Sequence, residues 1–225
     1  MKDWYPMGKE QSRLQIASII EVLGSQKSEI VDIGCGDGRL LIPLATAGYT
    51  MIGVDRDPAA IEACATHCDD VGINAQLIEG DLFDVLPLKQ PVDAILCCGQ
   101  TFMLMSDVDQ AVEALRLFRE TLQDGGIVVI DDIPGNLWPE VAKGGWANGV
   151  NEDASMQFVW AENDAVFALR EGDEVDQSSW ELGEQDRQFR LWTMGALRLA
   201  AKLAGLSAPE VPVAGEVLIM RVAAD

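Results

Sequence analysis

Short apolar segments alternate with longer amphipathic segments along residues 9–133 of the chain. Five apolar runs predict buried β-strands at residues 29–33, 50–54, 75–78, 92–97 and 127–130. Around them apolar residues recur every three or four positions, which is the spacing of one face of an α-helix; Ile16, Ile19, Ile20 and Leu23 form the first such series. Strands that alternate with helices of this length predict a parallel sheet with right-handed crossovers, which is a doubly wound α/β fold.

Capping residues predict where several helices begin. Asp57-Pro58 combines an N-cap side chain with a proline at the first helical position, and Thr193 can cap a last helix. Another helix is expected to begin at Ser106 or Asp107. Its predicted core face consists of Val108, Leu115, Phe118 and Leu122.

The pattern changes after residue 134. Residues 157–160 and 165–169 flank the turn 162–164 and predict an antiparallel hairpin. Further strands are expected around Trp180 and at residues 189–192, and a terminal strand at residues 216–222. We therefore expect an antiparallel β insertion after the fifth strand, lying over the carboxyl edge of the main sheet.

The charge of the chain narrows the classes of partner. Of 225 residues, 16 are Lys or Arg and 37 are Asp or Glu, so the formal net charge is −21. Nucleic acids and anionic membrane surfaces are repelled by such a charge, and neither is expected as a partner. Solubility is the simplest explanation of the acidity. No run of 18 apolar residues occurs and the first residues lack the features of a leader peptide, so we expect a cytoplasmic protein, either a monomer or a homodimer.

The five cysteines do not predict a disulfide framework, because their number is odd and the expected compartment is reducing. Cys64, His67 and Cys68 have a spacing that superficially suits a metal ion. On a helix, however, His67 points away from Cys68. We expect no metal site and interpret the two thiols as small buried hydrophobic groups.

A glycine-rich loop and three aspartates carry the candidate chemistry. Gly34-Cys35-Gly36-Asp37-Gly38 follows the first strand, where ligands bind in open parallel sheets. Alone, such a loop could be only a tight strand-to-helix turn. Asp55 ends the second strand and Asp81 follows the third, so the first carboxylate could accept ribose hydroxyls and the second an adenine amino group. Asp32, just before the loop, could hold an ammonium group.

These segments resemble the class I S-adenosylmethionine-dependent methyltransferases. The similarity rests on residues 31–38, 53–58, 79–81 and 124–126 and covers roughly residues 10–133. A weaker similarity is present at 189–193. It implies a Rossmann-like, mostly parallel seven-stranded sheet and S-adenosylmethionine as the cofactor. The residues that it implies for cofactor binding are Asp32, Gly34, Cys35, Gly36, Asp55, Arg56, Asp81, Leu82, Cys97 and Cys98.

The predicted organisation is one domain of four segments. They are an N-terminal helical segment at 1–28, a cofactor-binding core at 29–133, a substrate-lid insertion at 134–192, and a C-terminal helix and closing strand at 193–225. Methyl transfer to a nitrogen or oxygen atom of an unidentified small molecule is the expected activity. A catalytically silent binding module on the same fold stays open as an alternative. A nicotinamide-dependent oxidoreductase is less favoured, because Arg39 stands where its third glycine is expected.

Acceptor-binding residues are expected near the N-terminus, after the fourth strand and in the insertion. The candidates are Trp4, Tyr5, Gln100, Thr101, Met103, Trp160, Arg170, Trp180 and Arg190. The tryptophans could equally anchor a core, and the arginines could pair with nearby carboxylates. Tyr5, Asp131, Asp132 or Glu181 could act as a general base if the acceptor starts protonated, whereas His67 falls away from the predicted site.

Overall fold

The structure is a computed structural model that describes residues 8–24, 28–131, 143–144, 147–212 and 217–222. Its helices are α1 (Lys9–Leu23), α2 (Leu41–Thr46), α3 (Pro58–Val71), α4 (Leu82–Val85), α5 (Val108–Thr121) and α6 (Met194–Leu203). Its strands are β1 (Glu29–Ile33), β2 (Thr50–Asp55), β3 (Gln76–Glu79), β4 (Val92–Cys97), β5 (Leu122–Asp131), β6 (Gly149–Val150), β7 (Met156–Trp160), β8 (Val166–Glu171), β9 (Gln188–Arg190) and β10 (Val217–Arg221). Short 3₁₀ turns lie at Thr101–Leu104 and Gly172–Glu174.

The main sheet has the strand order β3-β2-β1-β4-β5, with β10 beyond β5 at the edge. The first five strands are parallel and β10 runs antiparallel to β5. The strand order reverses direction at β1, so a crevice opens between the carboxyl ends of β1 and β4. The predicted doubly wound, mostly parallel fold is confirmed, with six strands of this sheet among the described residues.

Helix capping follows the sequence prediction closely. The side chain of Asp57 accepts a hydrogen bond from the Ala59 amide, and the side chain of Thr193 accepts one from the Ala196 amide. Asp107 rather than Ser106 caps α5. Val108 is 42% exposed, so its predicted place in the core is wrong. The N-cap geometry turns this first helical residue outward, while Leu115 and Phe118 of the same helix are fully buried.

Apolar clusters fill both faces of the main sheet, as a doubly wound fold requires. On one face, residues of α5 and α6 pack against the sheet, with Phe118 and Leu197 fully buried. On the other face, residues of α1, α2 and α3 surround Met51 and Leu96. Both clusters rest on the same parallel strands, so the rigid sheet defines where its carboxyl-end loops lie.

The predicted antiparallel insertion forms a second sheet with the order β6-β7-β8-β9. The predicted hairpin is present, because β7 pairs antiparallel with β8. Residues around Trp180 form no strand, contrary to the prediction. Phe167 and Phe189 of the second sheet, together with Leu191 just after β9, pack on Met103 in the 3₁₀ turn that follows β4. The insertion therefore meets the main sheet at its carboxyl edge. No helix in the described part of the chain is long and apolar enough to cross a membrane.

Candidate active site

A cleft of about 660 Å³ opens at the carboxyl edge of the main sheet. Its size lies within the range of small-molecule and cofactor sites. Of the residues predicted to bind a cofactor or an acceptor, seven line it: Gly34, Gly36, Asp55, Arg56, Asp81, Leu82 and Thr101. The ends of β1, β2 and β3 and the loop after β4 thus converge on one cavity, as the sequence pattern predicts.

The glycine loop presents bare backbone to this cleft. Gly36 has a φ of 56°, and no heavy atom lies within 4 Å of the position that a Cβ would take. A side chain there would project into the open cavity, so glycine leaves a cradle for a ligand. Gly34 has a different role, because a Cβ would come within 2.7 Å of the Thr101 side chain. Its lack of a side chain lets the loop after β4 pack directly against the glycine loop.

Asp55 ends β2 and supports the glycine loop. Its Oδ2 accepts the Gly36 amide at 2.9 Å, and its Oδ1 accepts the Asp57 amide at 3.0 Å. A carboxylate offers about four acceptor positions, so both oxygens can still accept hydroxyl donors from a ligand. Asp55 is half-buried and lines the cleft.

Asp81 lies on the neighbouring wall, where it caps the short helix α4. Its Oδ1 accepts the Phe83 amide at 3.1 Å, and its Oδ2 lies 4.0 Å from Nη1 of Arg56. Leu82 and Phe83 add apolar surface beside it. This wall therefore combines one carboxylate with flat apolar groups, which suits a purine ring with an amino substituent.

Acidic groups dominate the cleft. Asp37, Asp55, Asp57 and Asp81 line it, against two cationic side chains, Arg56 and Arg187. Such a wall favours a cationic or neutral polar ligand over a polyanion.

Two further carboxylates are buried beneath the cleft. Burial raises the pKa of Asp32 to about 7, an effect that the nearby Arg39 opposes. Burial also raises the pKa of Asp131, while hydrogen bonds from the Gly99 and Gln100 amides oppose the rise. Asp131 is 5% exposed and is absent from the cleft wall, so the structure does not support its predicted role as a general base.

The thiols of the three cysteines that the resemblance implies for cofactor binding lie in the core. Cys97 belongs to the apolar cluster on one face of the main sheet, and Cys35 and Cys98 belong to the cluster on the other. Burial, as the largest cause, raises the pKa of all three thiols well above the ordinary value. None of the three lines the cleft. Contact of these residues with a cofactor, which the resemblance implies, would therefore have to use their backbone, and it stays a prediction.

The two arginines predicted to bind an acceptor have structural partners. Arg170 forms a two-point ion pair with Asp186, with both N–O distances 2.7 Å, and donates to the carbonyl oxygens of Ser179 and Glu181 at 2.9 Å. Arg190 forms a two-point pair with Asp164. Both arginines are more than nine-tenths buried, so the prediction that they bind substrate is corrected.

Other predicted acceptor residues lie apart from the cleft. Met103 is fully buried, and the Trp160 ring packs 4.8 Å from that of Phe167, so both belong to the core of the insertion. Trp180 is 39% exposed and donates its indole N–H to the Gln177 carbonyl oxygen. Gln100 adjoins the cleft through its neighbour Thr101 but does not line it. Trp4, Tyr5 and Asp132 lie outside the described residues. Glu181 is exposed and absent from the cleft wall.

Several cleft residues carry no motif and were missed by the sequence analysis. They are Leu104, Met105, Gln110, Arg187 and Gln188, together with Phe83 and alanines of α3. The position of Gln110 follows from the Asp107 cap, which sets the first turn of α5 against the cleft. Arg187 and Gln188 reach it through the pairing of β9 in the second sheet, a tertiary arrangement without a local signal. His67 lies closer to the cleft than expected, because its Nδ1 is 3.0 Å from the carbonyl oxygen of Asp37, which lines the cleft.

Comparison with known proteins agrees with this geometry. Residues 30–126 match a family described as a methyltransferase domain. A ubiquinone biosynthesis O-methyltransferase from Azorhizobium caulinodans is 29% identical over 46% of this chain and 40% of its own length. An uncharacterised methyltransferase from Oceanobacillus iheyensis is 26% identical over 58% of this chain and 64% of its own length. The chain thus spans between two fifths and two thirds of these two relatives.

Solved structures share the whole fold at low sequence identity. A S-adenosylmethionine-dependent methyltransferase from Clostridium acetobutylicum is 14% identical, with a TM-score of 0.71 over 96% of this chain and 93% of its own. The sugar N-methyltransferase KedS8 from Streptoalloteichus is 20% identical, with a TM-score of 0.64 over 98% of this chain and 89% of its own. Residues 30–126 are thus similar to a methyltransferase domain, and the chain shares its fold with S-adenosylmethionine-dependent methyltransferases of known structure.

Proposed function

We propose that this protein transfers a methyl group from S-adenosylmethionine to a nitrogen or oxygen atom of a small molecule. One observation carries the proposal: Asp55 and Asp81, at the ends of adjacent strands, flank a bare glycine loop in a single cleft. That arrangement supplies a carboxylate for a ribose, a carboxylate for an adenine amino group, and open backbone between them.

The residues of the cleft fit the cofactor chemically. Asp55 would accept the ribose hydroxyls, and Asp81 with Leu82 would hold the adenine, as the resemblance implies. Gly36 provides the cradle, since nothing fills the position of its missing Cβ. Bound S-adenosylmethionine supplies a methyl group on a positively charged sulfur, and the aspartate-rich wall suits that charge.

The protein contributes to the reaction by orienting the acceptor and by excluding water from the site. Methyl transfer needs the acceptor atom in line with the bond that breaks, so holding the acceptor at the correct angle supplies much of the acceleration. Thr101, Leu104, Met105, Gln110 and Gln188 line the same cleft. We propose that they contact the acceptor, and that the insertion at 134–192 covers it and excludes water.

The acceptor is proposed to be a neutral or basic small molecule. The cleft combines amide side chains with carboxylates, and the net charge of −21 disfavours polyanions. A protonated amine must lose a proton before its nitrogen can attack, and a hydroxyl must lose one during attack. We assign no described residue as the general base that would accept this proton. Asp131, a candidate from the sequence, is buried and accepts hydrogen bonds from backbone amides.

The decisive experiment uses S-adenosylmethionine labelled on its methyl group. Purified protein is incubated with pools of amino sugars, phenols and aliphatic amines, and label that moves to a product is identified by mass spectrometry. Transfer to an acceptor that depends on the intact protein supports the proposal. Binding of S-adenosylhomocysteine without transfer to any pool would favour a silent binding module, and preferential binding of NAD or NADP would contradict the proposed cofactor.

A further inference from the structure

The loop after β4 holds two successive residues in the left-handed region of backbone conformation. The φ of Gly99 is 71° and that of Gln100 is 64°. Glycine adopts such angles freely, whereas a residue with a Cβ does so at a steric cost. The surrounding structure must therefore hold Gln100 in this conformation.

Asp131, the last residue of β5, supplies the necessary contacts. Its Oδ2 accepts the Gly99 amide at 2.5 Å, and both of its oxygens lie 3.2 Å from the Gln100 amide nitrogen. Two consecutive N–H groups that converge on one anion form a concave backbone nest. Here the anion belongs to the protein, and hydrogen bonds to a charged acceptor are stronger than those between neutral groups.

The shape of this loop sets one wall of the cleft. Thr101 follows directly, lines the cleft, and donates its hydroxyl to the Cys98 carbonyl oxygen at 2.7 Å. Its side chain occupies the space left open by the missing Cβ of Gly34. A shift of Gly99 or Gln100 would therefore move Thr101 against the glycine loop.

A side-chain network extends the same contacts to helix α1. Nε2 of Gln15 lies 3.4 Å from Oδ2 of Asp131, and Oε1 of Gln15 accepts Nη1 of Arg39 at 2.8 Å. The same Nη1 lies 3.3 Å from the Ser12 hydroxyl. Gln15 is 1% exposed, so water does not compete for these bonds. Since Arg39 directly follows the glycine loop, the network joins α1, that loop, β5 and the loop after β4.

We propose that Asp131 is a positioning residue that holds the loop at residues 99–101 in the shape that receives the methyl-bearing end of the cofactor, and that Gln15 ties helix α1 to this loop. This inference rests on the proposed function. Asp131 acts through the backbone of Gly99 and Gln100, without contact with a reacting group. The adenosine end would be held by Asp55 at the end of β2 and by Asp81 after β3, and neither residue is among the hydrogen-bonded residues of this network.

The test compares Asp131→Asn with Asp93→Asn. Asp93 is a matched control because it also accepts a backbone amide, that of Glu29 at 2.7 Å, but at the start of β4 rather than at the carboxyl edge. Amide hydrogen exchange is measured at residues 99–101, and dissociation constants are measured for S-adenosylhomocysteine and for adenosine. We expect Asp131→Asn to speed exchange at Gly99 and Gln100 at least tenfold relative to the control. It should weaken S-adenosylhomocysteine about tenfold and adenosine less than twofold.

Equal weakening of the two ligands, or the same changes in Asp93→Asn, would overturn the proposal, because a merely structural carboxylate would act in that way. If Asp131→Asn does not fold, Gln15→Met is used, which keeps the buried volume and removes the link to α1. It should speed exchange in Ser12–Gln15 and weaken S-adenosylhomocysteine more than adenosine; unchanged exchange and affinity contradict the network. A wild-type protein that binds neither ligand defeats the proposed function, while the exchange rates still decide whether Asp131 holds the loop.

Discussion

Asp55 is the residue at which support of the glycine loop and recognition of a ligand coincide. Its two oxygens already accept the Gly36 and Asp57 amides. We expect Asp55→Ala to weaken S-adenosylhomocysteine by about 1.5–3 kcal/mol, because hydrogen bonds to a charged acceptor are lost and the loop loses its anchor. Calorimetry measures the change, with Asp69→Ala, an exposed position outside the cleft, as the control. An unchanged affinity in folded Asp55→Ala would show that the ribose is held elsewhere.

The raised pKa of Asp32 predicts how the free energy of unfolding depends on pH. Its pKa is raised from 3.8 to about 7 in the folded protein, chiefly by burial. Above pH 4 the unfolded chain ionises this carboxyl freely while the folded protein retains the proton, so this residue lowers the free energy of unfolding as the pH rises to about 7.

Asp32→Asn removes that titration. Its free energy of unfolding should therefore rise relative to wild type by about 1–4 kcal/mol between pH 4 and pH 8, measured by urea denaturation at each pH. The same difference at every pH would contradict a raised pKa at Asp32.

Sequence reasoning located single residues well where a strand end determined their position. Asp55, Asp81, Gly34 and Gly36 all reach the cleft for that reason. The direction of the Cys98 side chain could not be predicted, because the turn after β4 depends on contacts with β5 that are distant in sequence. Asp131 was one candidate for a general base, and its backbone partners Gly99 and Gln100 could not be predicted because the contacts form only in the folded chain.

At the scale of elements, the pair Arg170–Asp186 organises the edge of the insertion. Arg170 on β8 pairs with the carboxylate of Asp186 and donates hydrogen bonds to the carbonyl oxygens of Ser179 and Glu181. These contacts attach residues 179–186, which form no strand, to the second sheet. We expect Arg170→Met to lower the free energy of unfolding by about 3–5 kcal/mol, because it leaves a largely buried carboxylate unpaired.

Urea denaturation measures this loss, and Arg116→Met, which breaks an exposed pair with Glu113, serves as the control and should change little. If Arg170 instead bound an anionic acceptor, Arg170→Met would keep its stability and lose only methyl transfer. That result would restore the prediction made from the sequence.

The same pair explains why one predicted strand is missing. A strand was predicted around Trp180, yet the backbone there turns its carbonyl oxygens toward a buried guanidinium instead of a neighbouring strand. The hairpin of β7 and β8 was predictable because a turn and two apolar runs are adjacent in sequence. Elements that form through contacts between neighbouring residues are thus predictable from the sequence. A segment whose backbone is fixed by a side chain of another strand, as Arg170 fixes residues 179–181, is not.

At the scale of the whole molecule, the parallel sheet determines where the cleft lies and the acidic charge determines what field surrounds it. The fold followed from strand and helix periodicity, because each crossover is local and the handedness rule leaves few alternatives. Which face of the insertion meets the cleft did not follow, since β9 is only three residues long and its pairing is not local. Arg187 and Gln188 were missed for this reason.

The net charge of −21 and the aspartates of the cleft predict how salt affects the two forms of the cofactor. S-adenosylmethionine carries a positive sulfur that S-adenosylhomocysteine lacks, so the negative field should favour the methylated form. Screening lengths shrink from about 30 Å at 0.01 M salt to about 3 Å at 1 M, which weakens that field. We expect the preference for S-adenosylmethionine to fall about threefold to tenfold between 0.01 and 0.5 M sodium chloride, measured by calorimetry. Sinefungin, with an ammonium group near the position of the sulfur, should follow S-adenosylmethionine. Parallel salt curves for all three ligands would mean that the field does not reach the site, and that local contacts alone distinguish substrate from product.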